Sequence, residues 1–155
     1  MKKIIVVFSL VSFVFILAFS IGQVTNASNR DSVEMLMPQD DGVPSAESLA
    51  AGKAIYEGKG TCSVCHQVTG LGLPPTFPPL AKADYLLADR KRAIKQTING
   101  AKEPIVVNGN TYLGGMMVIP PLTDGEVKDV VNYILNSWGN KGGAVTLDEV
   151  KEARK

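Results

Sequence analysis

A chain of 155 residues, 45% hydrophobic but only 6% aromatic, has room for one compact domain. Its 16 basic and 15 acidic residues nearly cancel, which excludes the strongly basic surface that nucleic acid or anionic lipid selects. With one histidine and two cysteines in all, a structural zinc site falls short of its four nitrogen or sulfur ligands.

Lys2-Lys3 and the apolar run Ile4 to Ile21 read as the charged and apolar parts of a secretory signal, and Thr25-Asn26-Ala27 offers small residues for cleavage. Residues 1–27 are therefore expected to be a signal peptide, with an uncleaved membrane anchor as the alternative because the run approaches bilayer-spanning length. Either way the domain is exported, with the periplasm as its expected place. Removing residues 1–27 takes away Lys2 and Lys3 and leaves a net charge of minus one. Residues 28–44 are polar and acidic, with Asp31, Glu34, Asp40 and Asp41 and no helical or strand period, so they read as a flexible linker. Met35 and Met37 within it read as incidental.

The domain is expected at 45–155. Ser45 can cap a helix whose Leu49, Lys53 and Tyr56 fall at helical spacing, closed by Gly58 and Gly60. Gly52 inside it points to close approach by another helix.

Cys62-Ser63-Val64-Cys65-His66 follows. C-x-x-C-H is the attachment signature of a c-type haem, and on one helical turn both thiols and the imidazole face the same way. Each sulfur can form a thioether to a vinyl group while His66 binds iron. A local disulfide or redox pair uses the same cysteine spacing but leaves the adjacent histidine unexplained. The Gly- and Pro-rich stretch from Gln67 to Leu80 is then an extended loop that wraps something. A ligand histidine needs its second nitrogen hydrogen-bonded, and the Pro78 carbonyl is the expected acceptor, with Pro79-Leu80 packing on the haem.

Asp89 starts a helix over Arg90 to Asn99, closed by Gly100, with Ile94 and Ile98 inward and Arg90, Lys91, Arg92 and Lys95 on a mostly solvated face, the alternative for Arg92 being contact with a haem propionate or a partner. Ile105-Val106-Val107 and Thr111-Tyr112-Leu113 flank Asn108-Gly109-Asn110, a small hairpin that delivers the chain to Gly114-Gly115-Met116-Met117. With His66 the only histidine, methionine is the remaining soft ligand for the sixth iron position. Met116 is preferred and Met117 stays open as the alternative. Thr123 and Glu126 form a capping box for a helix carrying Val127, Val130, Val131, Ile134, Leu135 and Trp138, ended by Gly139; Thr146 and Glu149 begin a second, short one.

On these residues, the region from Ala46 onward resembles a class I c-type cytochrome: a first helix with Gly52 and Tyr56, the Cys62 to His66 motif, Pro78-Pro79-Leu80, a distal methionine and a last helix with Tyr133 and Trp138. Phe77 to Ala81, Asp84-Tyr85-Leu86, Arg92-Ala93-Ile94, Asn108-Gly109, Tyr112, Asn136 to Asn140 and Val145-Thr146 are similar to a subgroup that includes cytochrome domains attached to copper-containing nitrite reductases. That subgroup has proline directly after its ligand methionine, whereas here Met117-Val118-Ile119 precede Pro120. The resemblance implies an all-α fold of three to five helices around one covalent haem, the first helix crossing the last, and outer-sphere transfer of single electrons. Cys62, Cys65, His66, Met116 and Pro78 are the expected haem-binding residues, His66 and Met116 the iron ligands, and no residue is expected to be catalytic. The expected partners are a redox donor and acceptor: an oxidoreductase, a terminal oxidase or a nitrite-reductase-like enzyme. The alternatives are a haem enzyme or gas sensor with an open sixth position, and a subunit dedicated to one larger oxidoreductase.

Overall fold

The computed structural model describes residues 42–155. The expected signal segment, nearly all of the expected linker, and Met35 and Met37 lie outside the described residues. Side-chain caps start the four longer helices. Ser45 caps α1 (Ala46–Glu57) by accepting from the Ser48 N–H. After it come two five-residue helices, α2 (Cys62–His66) and α3 (Asp84–Ala88). Asp89 caps α4 (Arg90–Asn99) by accepting from the Arg92 N–H. A hairpin of β1 (Ile105–Val107) and β2 (Asn110–Tyr112) leads on to α5 (Asp124–Asn136) and α6 (Leu147–Ala153), each opened by a complete capping box, Thr123 with Glu126 and Thr146 with Glu149. The described residues thus hold six helices where three to five were expected. The difference is α2 and α3, single turns too short to carry a helical period in sequence.

Antiparallel pairing joins Ile105 to Tyr112 and Val107 to Asn110, so the turn is the two residues Asn108-Gly109. Both have positive φ, 50° and 78°, as a type I′ hairpin turn requires. The expected second strand was therefore set one residue late: Asn110 pairs, and Leu113 lies beyond the strand, 84% exposed. Asp84 and Asn108 exchange backbone-to-side-chain hydrogen bonds, 2.7 and 3.1 Å, which fasten the hairpin tip to α3.

Where α1 crosses α5 the backbones nearly touch. A Cβ built on Gly52 would lie 2.0 Å from the Asp129 carbonyl oxygen, so only glycine fits at the crossing. Beside it the Ser48 hydroxyl donates to Asp129 (2.6 Å) and accepts from the Asn132 amide (3.1 Å), and the Val145 N–H donates to the Asn132 side chain (2.6 Å). The fully buried side chains Tyr56, Ile94, Val127, Val130, Val131, Leu135 and Val150 join α1, α4, α5 and α6 in one core. Fully burying each aliphatic side chain contributes roughly 1.5–3 kcal/mol.

The α5 helix stops two residues before Trp138, which the expected apolar stripe included. Ser137 is extended and Trp138 has φ 53°. The last-turn carbonyls explain the stop: the Asn140 amide donates to Ile134 (2.7 Å) and the Gly142 N–H to Leu135 (2.8 Å), closing the helix from downstream. Among the described residues no helix is long and apolar enough to cross a membrane.

Candidate haem site

One turn of helix carries both thiols and the only imidazole, and its position is set by what precedes and follows it. Ahead of α2, the Lys59 ammonium bridges both Glu126 carboxylate oxygens at 2.8 and 2.9 Å, tying the α1–α2 turn to the start of α5. Behind it, the buried Tyr56 hydroxyl donates to the Gln67 carbonyl at 2.7 Å, and the Gly72 N–H donates to the His66 carbonyl at 2.9 Å. The Trp138 indole donates to the Val68 carbonyl at 3.1 Å. Tyr56, Tyr133 and Trp138 form a triangle of rings with centroids 5.3–5.4 Å apart, so Tyr56 of α1 and Trp138, just past α5, together hold the loop that leaves the motif.

His66 Nδ1 lies 2.9 Å from the Pro78 carbonyl oxygen. A carbonyl only accepts, so Nδ1 carries the proton and Nε2 keeps its lone pair. Burial lowers the imidazole's pKa, with the Pro78 bond opposing, so the ring is the neutral, metal-binding form at neutral pH. The loop that carries Pro78 is held by Asn140, which the sequence reading quoted only within the Asn136 to Asn140 resemblance and gave no role: its side chain donates to the Leu80 carbonyl (3.0 Å) and accepts from the Lys82 N–H (2.7 Å). Apart from that resemblance, its signal in sequence was a short polar residue just past a helix-ending glycine.

Cys62, Cys65, His66, Pro78, Met116 and Met117 all line one cavity of about 360 Å³, within the range of pockets that hold a small molecule or cofactor. The sequence-expected residues are thus brought to one space. The two methionines differ there. Met116 is half-buried and also borders two smaller adjoining cavities of about 70 and 60 Å³, the second lined by His66 as well, whereas Met117 is 74% exposed at the mouth. The Met116 carbonyl accepts from the Ala101 N–H (2.9 Å) and the Gly115 N–H donates back to Ala101 (3.0 Å), which pins the methionine beside the end of α4. Gly114, at φ 85°, allows this: a Cβ there would lie 2.6 Å from the Glu103 carbonyl oxygen.

Arg92 does not sit on a solvated face as expected. Its guanidinium stacks 3.7 Å from the Tyr85 ring centroid and donates to the Tyr85 carbonyl, at the border of the cavity that adjoins Met116.

The donor set decides between the chemistries left open. Burial pushes the Cys62 thiol up to about 11, so that thiol is protonated at neutral pH. Among the described residues no three His, Cys, Asp or Glu side chains converge as metal ligands, so zinc does not fit. A haem does fit: an apolar cavity, two thiols and an imidazole with a free Nε2 on one wall, and a thioether bordering the same space.

Comparisons with known proteins agree. The family model described as cytochrome c matches residues 49–138. The chain is 36% identical over 118 residues to cytochrome c-552 of Thermus thermophilus, covering 70% of this chain and 78% of that protein. It is 30% identical over 98 residues to the cytochrome c subunit of a quinone alcohol dehydrogenase from Gluconacetobacter polyoxogenes, covering 60% of this chain and 20% of that subunit. A gluconate 2-dehydrogenase cytochrome c subunit from Pantoea cypripedii is 30% identical over 133 residues, 81% of this chain and 30% of the subunit. The chain belongs to the cytochrome c family: it is a class I c-type cytochrome with one covalently bound haem c, and it carries electrons.

Proposed function

We propose that this cytochrome acts outside the cytoplasm, in the periplasm, as a shuttle of single electrons between an oxidoreductase and a terminal oxidase or reductase. Cys62 and Cys65 would hold the porphyrin through two thioethers, and His66 and Met116 would bind its iron. The observation that carries the reading is the shared cavity, in which the imidazole has its Nδ1 proton occupied by Pro78 and the half-buried thioether of Met116 borders the same space. Haem iron supplies reversible one-electron chemistry when bound, and a thioether ligand in a buried site favours the reduced form. The chain's own residues do the rest. Pro78 fixes the imidazole's tautomer and orientation, Tyr56, Trp138 and Asn140 hold the loop that carries Pro78, and the hairpin and Ala101 present Met116. With His66 and Met116 both binding the iron, no site would be left on it for substrate, so we read the protein as a carrier rather than an enzyme. Residues 1–27 act as the export signal and 28–44 as a linker to the domain at 45–155. The nitrite-reductase-type subgroup is the finer affiliation we favour, on the Phe77 to Ala81 and Asn136 to Asn140 segments.

The test is the absorption spectrum of protein matured with haem-attachment machinery, oxidised and reduced, with and without carbon monoxide. A low-spin spectrum indifferent to carbon monoxide is expected. Ready binding would mean an open iron, and the carrier reading would give way to catalysis or sensing.

A second reading has its own support: several relatives are cytochrome subunits of dehydrogenases, and the chain spans 20–30% of their length. On that reading the domain serves one large enzyme, and it would co-purify stoichiometrically with it.

A further inference from the structure

Resting on the reading of Met116 as an iron ligand, we propose that Arg154, at the end of α6, is a positioning residue for that ligand: by holding the downstream end of the methionine loop, it sets how readily the thioether leaves the iron. Among the described residues the loop is tied at its two ends and nowhere between. Upstream, Gly115 and Met116 exchange backbone hydrogen bonds with Ala101, and the loop packs on Gly100, where an added Cβ would lie 2.3 Å from the Met116 carbonyl oxygen. From Met117 to Pro121 no hydrogen bond is made, and Pro120 and Pro121 have no N–H to give. Ile119 is the one partly buried residue of that stretch, and it lines the haem cavity beside Met116. The next tie is Arg154: its Nη2 donates to the Leu122 carbonyl at 2.6 Å and its Nε to the Asp124 carboxylate at 2.5 Å.

Arg154 acts from a fixed base. The Arg90 guanidinium joins α4 to the start of α6 through the Ala144 carbonyl (3.0 Å) and the Glu149 carboxylate (2.8 Å), and Val150 is fully buried in the core. The whole of α6 follows residues 49–138, which match the cytochrome c family model, so this tie is made by a helix beyond the matched region.

The placement does not serve α5 for its own sake. A cation at a helix N-terminus opposes the helix dipole, so what Arg154 gains there is the Leu122 carbonyl and the Asp124 carboxylate, both charge-assisted hydrogen bonds. A segment bonded only at its ends opens at low free energy. With both ends fixed, the Met116 thioether stays at the cavity; with Leu122 freed, the Ala101 pair alone restrains it.

The rate at which the ferric holoprotein takes up imidazole, followed by its absorption spectrum, reads how often the thioether leaves the iron. Arg154→Ala is expected to speed uptake about tenfold, and Arg154→Lys, which keeps a charged donor, to stay within about threefold of the wild type. Wild type brought by dilute urea to the same residual stability as Arg154→Ala is expected to remain slow, because the tie acts on the loop and not on the fold as a whole. Uptake by Arg154→Ala at the wild-type rate, or equal speeding of the wild type in urea, would overturn the positioning role. Met116→Ala separates this outcome from the reading beneath it: that variant is expected to take up imidazole faster than any of the others. A Met116→Ala protein as slow as the wild type would instead overturn Met116 as the ligand.

Discussion

The two sides of the haem cavity are built differently. On the His66 side, the backbone is held from several distant parts of the chain: Tyr56 on the Gln67 carbonyl, Trp138 on Val68, Asn140 on Leu80 and Lys82, and Lys59 on Glu126. On the methionine side, Met116 is held by a pair of backbone bonds to Ala101, after which Met117 and Val118 run exposed. The difference teaches that the imidazole side is fixed by the packing of α1 on α5, so its geometry is as stable as the fold, whereas the thioether side rides on a loop whose failure would leave the fold intact. Openings of low free energy belong to such sparsely bonded segments.

The largest expected effect comes from breaking the rigid side at its root. Gly52→Ala drives a Cβ into the Asp129 carbonyl and should cost about 3 kcal/mol by urea unfolding of the haem-loaded protein. A loss under about 1 kcal/mol would show that α1 and α5 can separate without consequence.

Gly70→Ala acts one layer out. Gly70 has φ 67°, and an added Cβ would lie 2.6 Å from the Trp138 ring, so about 2 kcal/mol of stability is expected to go, along with the indole's hold on Val68. Trp138 fluorescence in the variant reports the second part, and an unmoved emission would contradict it.

Smaller still is the tether at Lys59. The Lys59 ammonium, then the Thr123 backbone N–H and hydroxyl, hold the Glu126 carboxyl down to about 2. Because the folded value lies below the unfolded one of about 4.3, the contribution is present above that pH and is lost as pH falls toward 2. Glu126→Gln should therefore lower the urea midpoint most above about pH 5, and the two proteins should converge near pH 2. A difference that grows on acidification would reverse the assignment.

Much of this was legible in sequence because it rests on local chemistry. Ser45, Asp89, Thr123 and Thr146 cap where a short polar side chain precedes an apolar period, and Asn108-Gly109 turns where two residues need positive φ. That Cys62, Cys65 and His66 share one cavity was legible because their spacing puts them on one helical turn, and the His66 to Pro78 hydrogen bond because an imidazole expected to bind iron needs an acceptor. What stayed hidden depends on tertiary partners. The end of α5 is fixed by Asn140 and Gly142 reaching back to its carbonyls, so apolar spacing alone carried the stripe on to Trp138. Arg92 belongs to a charge run that reads as solvated, yet the Tyr85 ring and carbonyl turn it inward. Two adjacent identical residues left Met116 preferred and Met117 open in sequence, and their difference in burial supports the same preference.

That choice is where the account is most exposed, and carbon monoxide binding to the reduced Met116→Ala and Met117→Ala holoproteins tests it directly. If His66 faces Met116 across a rigid fold, Met116→Ala binds carbon monoxide readily and still unfolds cooperatively, while Met117→Ala remains as indifferent as the wild type. Carbon monoxide binding by Met117→Ala alone, or by neither variant, would contradict the His66 and Met116 pair.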